Sequence, residues 1–215
     1  MLDWRIDNVF GFDVVAPQTE RGVLLTARET PGGLPLLLPE TITQPVIAPS
    51  LAILHSNSGN PRVPWWQVLR WYRRPEVTGE PHFEVSMDGT VAQFMPTNRR
   101  ADCNAKANAW TDPTGRVRGA VSFETQDEGG PTVDRTPWTP EQIESICQIL
   151  AALIVHYPDM TCTSPTHARD RGIGYHSQYP EWSIYKGKTC PGHARIRQMD
   201  YVRRRVAELV VANRR

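Results

Sequence analysis

Apolar and polar positions follow two different periods along this chain, and the changes of period mark its elements. Residues 1 to about 45 keep to neither. The stretch "APQTERGVLLTARETPGGLPLLLPETITQP" mixes Pro, Gly and Thr with short apolar runs, which predicts an irregular N-terminal extension (1–45) wrapped over a domain at 46–215. In "PVIAPSLAILHSNSG" the apolar run Leu51 to Leu54 predicts a buried strand that stops at His55, before a Ser, Asn and Gly loop. The period then lengthens: Trp65, Val68, Leu69 and Tyr72 of "PWWQVLRWYRR" share one helix face. Asp88-Gly89 within "HFEVSMDGTVAQFMP" predicts a hairpin. "GAVSFETQ" returns to period two, with Val121 and Phe123 on one face and Ser122 and Glu124 on the other.

The clearest helix is "WTPEQIESICQILAALIVHYP". Thr139 can cap it, Pro140 suits its first turn, and Gln142 completes a capping box; Ile143, Ile146, Cys147, Leu150, Leu153 and Ile154 form the buried face. A last helix over "HARIRQMDYVRRRVAELVVANRR" carries Ile196, Met199, Val202, Val206, Leu209 and Val210 at similar spacing. Strands interleaved with helices, and no long repeat, predict an α/β domain with a mixed central sheet flanked by helices.

Composition narrows the partners. The 215 residues are 40% hydrophobic and 22% charged, enough for one sizeable core. Twenty-four basic against 23 acidic residues leave a net charge of +1, so no strong field draws the chain to nucleic acid or to a membrane, and a partner must be recognised by a site. The start "MLDWRIDNVFGF" lacks a basic segment and an apolar run, and no apolar stretch approaches the ~18 residues of a membrane span, so a protein made in the cytosol without a signal peptide is expected. Cys103, Cys147, Cys162 and Cys190 follow no disulfide-scaffold spacing, which favours free thiols or a metal ligand.

Candidate chemistry concentrates in "GYHSQYPEWSIYKGKTCPGHA". If His55, His176 and Cys190 meet in space, two imidazoles and a thiolate make a three-ligand site with one open position, the arrangement of catalytic zinc. Lys188, two residues before Cys190, would leave an extended stretch on the same face, beside the charge that develops on an attacked carbonyl. Glu124, on the polar face of its strand, is the candidate general base and acid. His167 and His193 are competing loop ligands. Arg100, Asn104 and Asn108 in "NRRADCNAKAN" are candidates to line a substrate groove.

From about Ile47 to Val210 the chain resembles the zinc-dependent N-acetylmuramoyl-L-alanine amidases that share a fold with peptidoglycan recognition proteins. Four segments carry the resemblance, in the family's order: "LAILHSNSG", "HFEVSMDGTVAQFMPTNRRA", "AVSFETQD" and "YHSQ…GKTCPG". The Lys188-Thr189-Cys190-Pro191-Gly192 run is the most specific, and "FETQDEG" looks most like endolysins of phages that infect actinobacteria. The resemblance implies Zn²⁺ held by His55, His176 and Cys190, Glu124 as base and acid, and Lys188 on the oxyanion. It also implies cleavage of the amide between the lactyl group of N-acetylmuramic acid and L-alanine of the stem peptide. Two positions depart from the pattern. Pro81 stands where one branch carries a catalytic tyrosine, which makes Glu124 more necessary, and Asp102-Cys103 replaces a frequent Trp-His pair.

The expectation is therefore a monomeric phage lysin that waits in the host cytoplasm and acts on bacterial peptidoglycan, not on nucleic acid or membrane. Two alternatives share the fold: a module that binds peptidoglycan without cutting it, and a cytosolic amidase that recycles muropeptides.

Overall fold

The computed structural model describes residues 4–9, 12–17, 43–57, 63–74, 76–129, 134–187 and 189–214. Its centre is a six-stranded sheet in the order β5-β4-β7-β3-β8, with β6 paired to the start of β7. The strands are β3 (Ala48–Leu54), β4 (Phe83–Val85), β5 (Val91–Gln93), β6 (Trp110–Thr111), β7 (Val117–Thr125) and β8 (Gly172–Tyr175). β4, β7, β3 and β8 run parallel to their neighbours, whereas β5 and β6 are antiparallel. Helix α1 spans Trp65–Tyr72, α2 Pro140–His156, α3 His193–Ile196 and α4 Met199–Asn213. The mixed sheet flanked by helices is the architecture that the hydrophobic pattern predicts.

Period two divides the core. Ala52, Leu54, Val121, Phe123, Phe83 and Val85 face α2 and α4, and with them enclose the main cluster. Leu51, Ile53 and Ala120 face the opposite side, where Trp110 and Trp182 cover them. Leu69 and Tyr72 of α1 pack on Ala92, Phe94, Met95 and Ala101 beside that second face. Both faces are thus covered, and β3 is a continuous apolar run for that reason.

α2 begins as its sequence predicts. Thr139 Oγ1 accepts from the Gln142 N–H at 3.1 Å and donates to Met87 O at 2.7 Å, and the Thr139 N–H returns to Gln142 Oε1. Thr139→Ala removes a cap and a tie to the hairpin turn together, so urea unfolding should show a loss of about 1–2 kcal/mol.

Three elements differ from the sequence expectation. Within the N-terminal extension, β1 (Trp4–Val9) and β2 (Phe12–Pro17) form an antiparallel hairpin, in register from Trp4↔Pro17 to Val9↔Phe12. Only two residues separate these strands, a short hairpin spacing that the Pro- and Thr-rich stretch after it obscures. The last helix is broken between α3 and α4, where Gln198 brackets the backbone of Trp138 through bonds of 2.8 and 3.1 Å. β8 has no counterpart among the predicted strands, because its sequence "GIGY" hides the period behind two glycines. Those glycines are required by contact: a Cβ at Gly174 would lie 2.6 Å from the Trp182 ring.

Candidate active site

The sheet register builds the site. Glu84 and Glu124 are partners across β4 and β7, Leu54 pairs with Phe123 across β3 and β7, and with Tyr175 across β3 and β8. One residue beyond each of those last pairs, His55 falls beside Glu124 and His176 beside His55. Glu84, Glu124, His55 and His176 therefore make one row across four parallel strands at their carboxyl ends, the place where open α/β sheets put ligands. All four lie on the Leu51, Ile53 and Ala120 face, so a slip of one residue in any strand would turn its functional group toward α2.

The rings of His55 and His176 are 4.3 Å apart between centroids. Cys190 reaches them from the loop before α3: Ser177 N–H donates to Cys190 O at 2.9 Å, and Ser56 N–H donates to Cys190 Sγ at 3.2 Å. One ligand atom from each of His55, His176 and Cys190 lies within 4.8 Å of the other two. Asn104 Oδ1, 2.7 Å away, can only accept, so His55 Nε2 carries the proton and the Nδ1 lone pair is left on the opposite side. That Nδ1 lies 3.7 Å from Glu124 Oε1. Glu124 is 12% exposed and opens onto a cleft of about 440 Å³ that also reaches His55, His176 and Cys190. Thr78, Gly79 and Trp182 to Tyr185 also line the cleft.

The residues expected to line a substrate groove have other partners in the structure. Asn104 is fully buried and orients His55; Asn108 Oδ1 accepts from the Asn104 N–H at 2.5 Å; and Arg100 is drawn into an ion pair with Asp102 at 2.9 Å. From this loop it is Asp102, Cys103 and Ala105 that line the cleft. The expected oxyanion partner Lys188 lies outside the described residues. His167 is exposed and paired with Asp170, and His193 is exposed at the start of α3.

Sequence reasoning missed two buried groups. Glu84 is 1% exposed and accepts from Asn57 Nδ2. Burial, and then the neighbouring Glu124 carboxylate, push its carboxyl well above the usual range. Its position in "HFEV", between two core residues of a strand, was the available signal. His82, also buried, accepts the Ser122 N–H on Nδ1 at 3.0 Å and bonds Arg99 O through Nε2 at 2.9 Å, which fixes the neutral Nε2–H tautomer.

Burial lowers the His82 pKa from 6.5 to about 4. A depressed histidine contributes stability that is present above its unfolded pKa and is lost as pH falls toward the folded one. Between pH 7 and 4.5 this amounts to about 2–3 kcal/mol. Glu84 acts in the opposite sense, so the comparison that isolates His82 is with His82→Gln. The substituted protein should be less stable at pH 7 and show a shallower fall toward pH 4.5, measured by urea unfolding.

A family model described as N-acetylmuramoyl-L-alanine amidase matches residues 47–193, a span that holds the whole row and Cys190. No curated protein sequence matches the chain. Among solved structures, the chain is similar to N-acetylmuramoyl-L-alanine amidase LysC from Clostridium intestinale URNW, with 16% identity, 73% of this chain and 88% of that one covered, and a TM-score of 0.51. It is also similar to the Staphylococcus aureus hydrolase AmiA in complex with its ligand, with 13% identity, 78% of each chain covered and a TM-score of 0.54. The structure of PlyL gives 16% identity, 80% of this chain and 92% of that one covered, and a TM-score of 0.51. At such identities these structures share the fold.

Proposed function

The chain belongs to the N-acetylmuramoyl-L-alanine amidase family, and on that premise we propose that it is a zinc-dependent amidase of the endolysin type. Its substrate is bacterial peptidoglycan, cut between the lactyl group of N-acetylmuramic acid and L-alanine of the stem peptide. One observation carries this reading: His55, His176 and Cys190 offer three ligand atoms within 4.8 Å of one another beside a carboxylate that opens onto the cleft.

The residues fit zinc by the chemistry of the donor set. Two imidazoles and one thiolate leave a fourth position open, Asn104 fixes the tautomer of His55, and the Ser56 N–H is placed to stabilise a thiolate. Bound there, zinc supplies Lewis acidity toward the scissile carbonyl and lowers the pKa of water. Glu124 accepts the proton that the nucleophilic water loses and delivers it to the departing L-alanine nitrogen. Lys188 is assigned to the oxyanion by the Lys-x-Cys-Pro-Gly pattern. The cleft lined by Thr78, Gly79 and Ser183 to Tyr185 together with Glu124 receives the glycan and stem peptide.

The resemblance to lysins of actinobacterial phages directs the test to mycobacterial-type peptidoglycan. Digestion with and without a chelator, followed by mass spectrometry, should release stem peptides with a new L-alanine amino terminus. Release should stop on chelation and return with zinc. Binding to sacculi without any product would instead make the chain a peptidoglycan-binding module.

A further inference from the structure

Behind the ligand set lies a buried ion pair that the reaction above does not use. Arg195 and Asp127 are both fully buried, 3.6 Å apart. The Arg195 guanidinium also donates to Thr125 O at 3.3 Å, Thr125 Oγ1 at 3.1 Å and Gln126 O at 2.8 Å. Asp127 Oδ1 accepts from the Gly129 N–H at 2.6 Å, and Oδ2 accepts from Ser56 Oγ. Ser56 is the residue whose N–H meets Cys190 Sγ, and Arg195 follows Cys190 by one short turn of chain. The contacts close a ring: Cys190, through α3 to Arg195, to Asp127, to Ser56, and back to the Cys190 sulfur.

A stability role alone does not account for this ring. Taking two charges out of water costs several kcal/mol per ion, and apolar replacements of buried pairs are often as stable or more so. What the pair does accomplish is to anchor the Ser56 side chain at Asp127 Oδ2, and so to hold in place the residue whose backbone N–H meets Cys190 Sγ. In metal sites, groups that bond to the ligands set ligand orientation and basicity.

We propose that Asp127 and Arg195, acting through Ser56, are positioning residues that hold the Ser56 N–H on the Cys190 thiolate and so preorganise the three ligands for metal. This rests on the zinc reading of the same site. The ring ties the His55 end of β3 to the segment that delivers Cys190, the two parts of the ligand set farthest apart in sequence. It acts from the interior, leaving the cleft side open for substrate.

Zinc dissociation constants of the full chain, obtained by competition with a chelating dye, test the proposal. Ser56→Ala should bind zinc about 10–100-fold more weakly, a loss read on the folded protein and therefore separate from the lower metal-free melting temperature expected when buried Asp127 loses a hydrogen bond. Ser56→Thr, which keeps the hydroxyl, should restore tight binding. Asp127→Asn, which keeps an acceptor for Ser56 but removes the charge, should fall between them. In the cobalt-substituted protein, the thiolate-to-metal absorption band should shift in Ser56→Ala and not in Ser56→Thr. Equal zinc affinity and an unshifted cobalt band in Ser56→Ala would overturn the clamp while leaving the metal site intact. Failure of the unmodified chain to bind zinc would overturn both the clamp and the zinc reading.

Discussion

Glu124→Gln should reduce the rate of amide cleavage by about 10²–10⁴-fold, the usual contribution of a positioned general acid–base group. The substitution keeps the size of the side chain and can still bond to neighbours, but it can neither take a proton from water nor return one to the leaving nitrogen. Glu124 stands 3.7 Å from His55 Nδ1 and is 12% exposed, so it is within reach of the ligand set and of the cleft at once. Zinc content should not change, because the three ligands remain. The measurement is kcat for peptidoglycan solubilisation together with bound zinc per chain. An unaltered kcat would remove Glu124 from the mechanism; a fall in kcat that tracks lost zinc would make it a support for His55 instead.

The second large effect concerns the ligands. Cys190→Ala should abolish detectable zinc binding and, with it, activity. The same substitution should erase the stabilisation that zinc gives the unmodified chain, which at free zinc about 1,000 times the dissociation constant is roughly 4 kcal/mol. Chelation of the unmodified protein should lower its melting temperature reversibly, whereas the substituted protein should melt at one temperature with or without chelator. Thermal unfolding in the two conditions checks this independently of any substrate.

These two residues illustrate what the sequence makes legible. Glu124 was readable because it alternates with Val121 and Phe123 on one strand, a local period. Cys190 was readable because Lys, Cys, Pro and Gly stand together. The N-cap of α2 was readable for the same reason, since Thr139 and Gln142, which make its capping box, and Pro140 lie within four residues. The unread features join residues distant in sequence. Asn104 looks like any polar loop residue until the fold brings its carbonyl to His55, 49 positions away. Arg195 looks like a solvated helix arginine until the fold brings it to Thr125, Gln126 and Asp127 at the end of β7. Glu84 sits in a three-residue strand, too short for alternation to say which face it takes until the register with β7 is known. Local patterns thus supplied the candidate reacting groups, and tertiary register supplied the neighbours that contact them.

The absence of a side chain at Gly174 makes room for the Trp182 ring. Trp182 packs against β8 there, fully buried, with its indole N–H donating to Ala168 O at 2.8 Å. A single methyl at 174 would have to displace that ring, which borders the cleft together with Ser183, Ile184 and Tyr185. The seating of one border of the cleft thus depends on a position that does not itself line it. Changing one small residue behind an aromatic side chain is therefore a way to alter the shape of the cleft without substituting any residue that lines it.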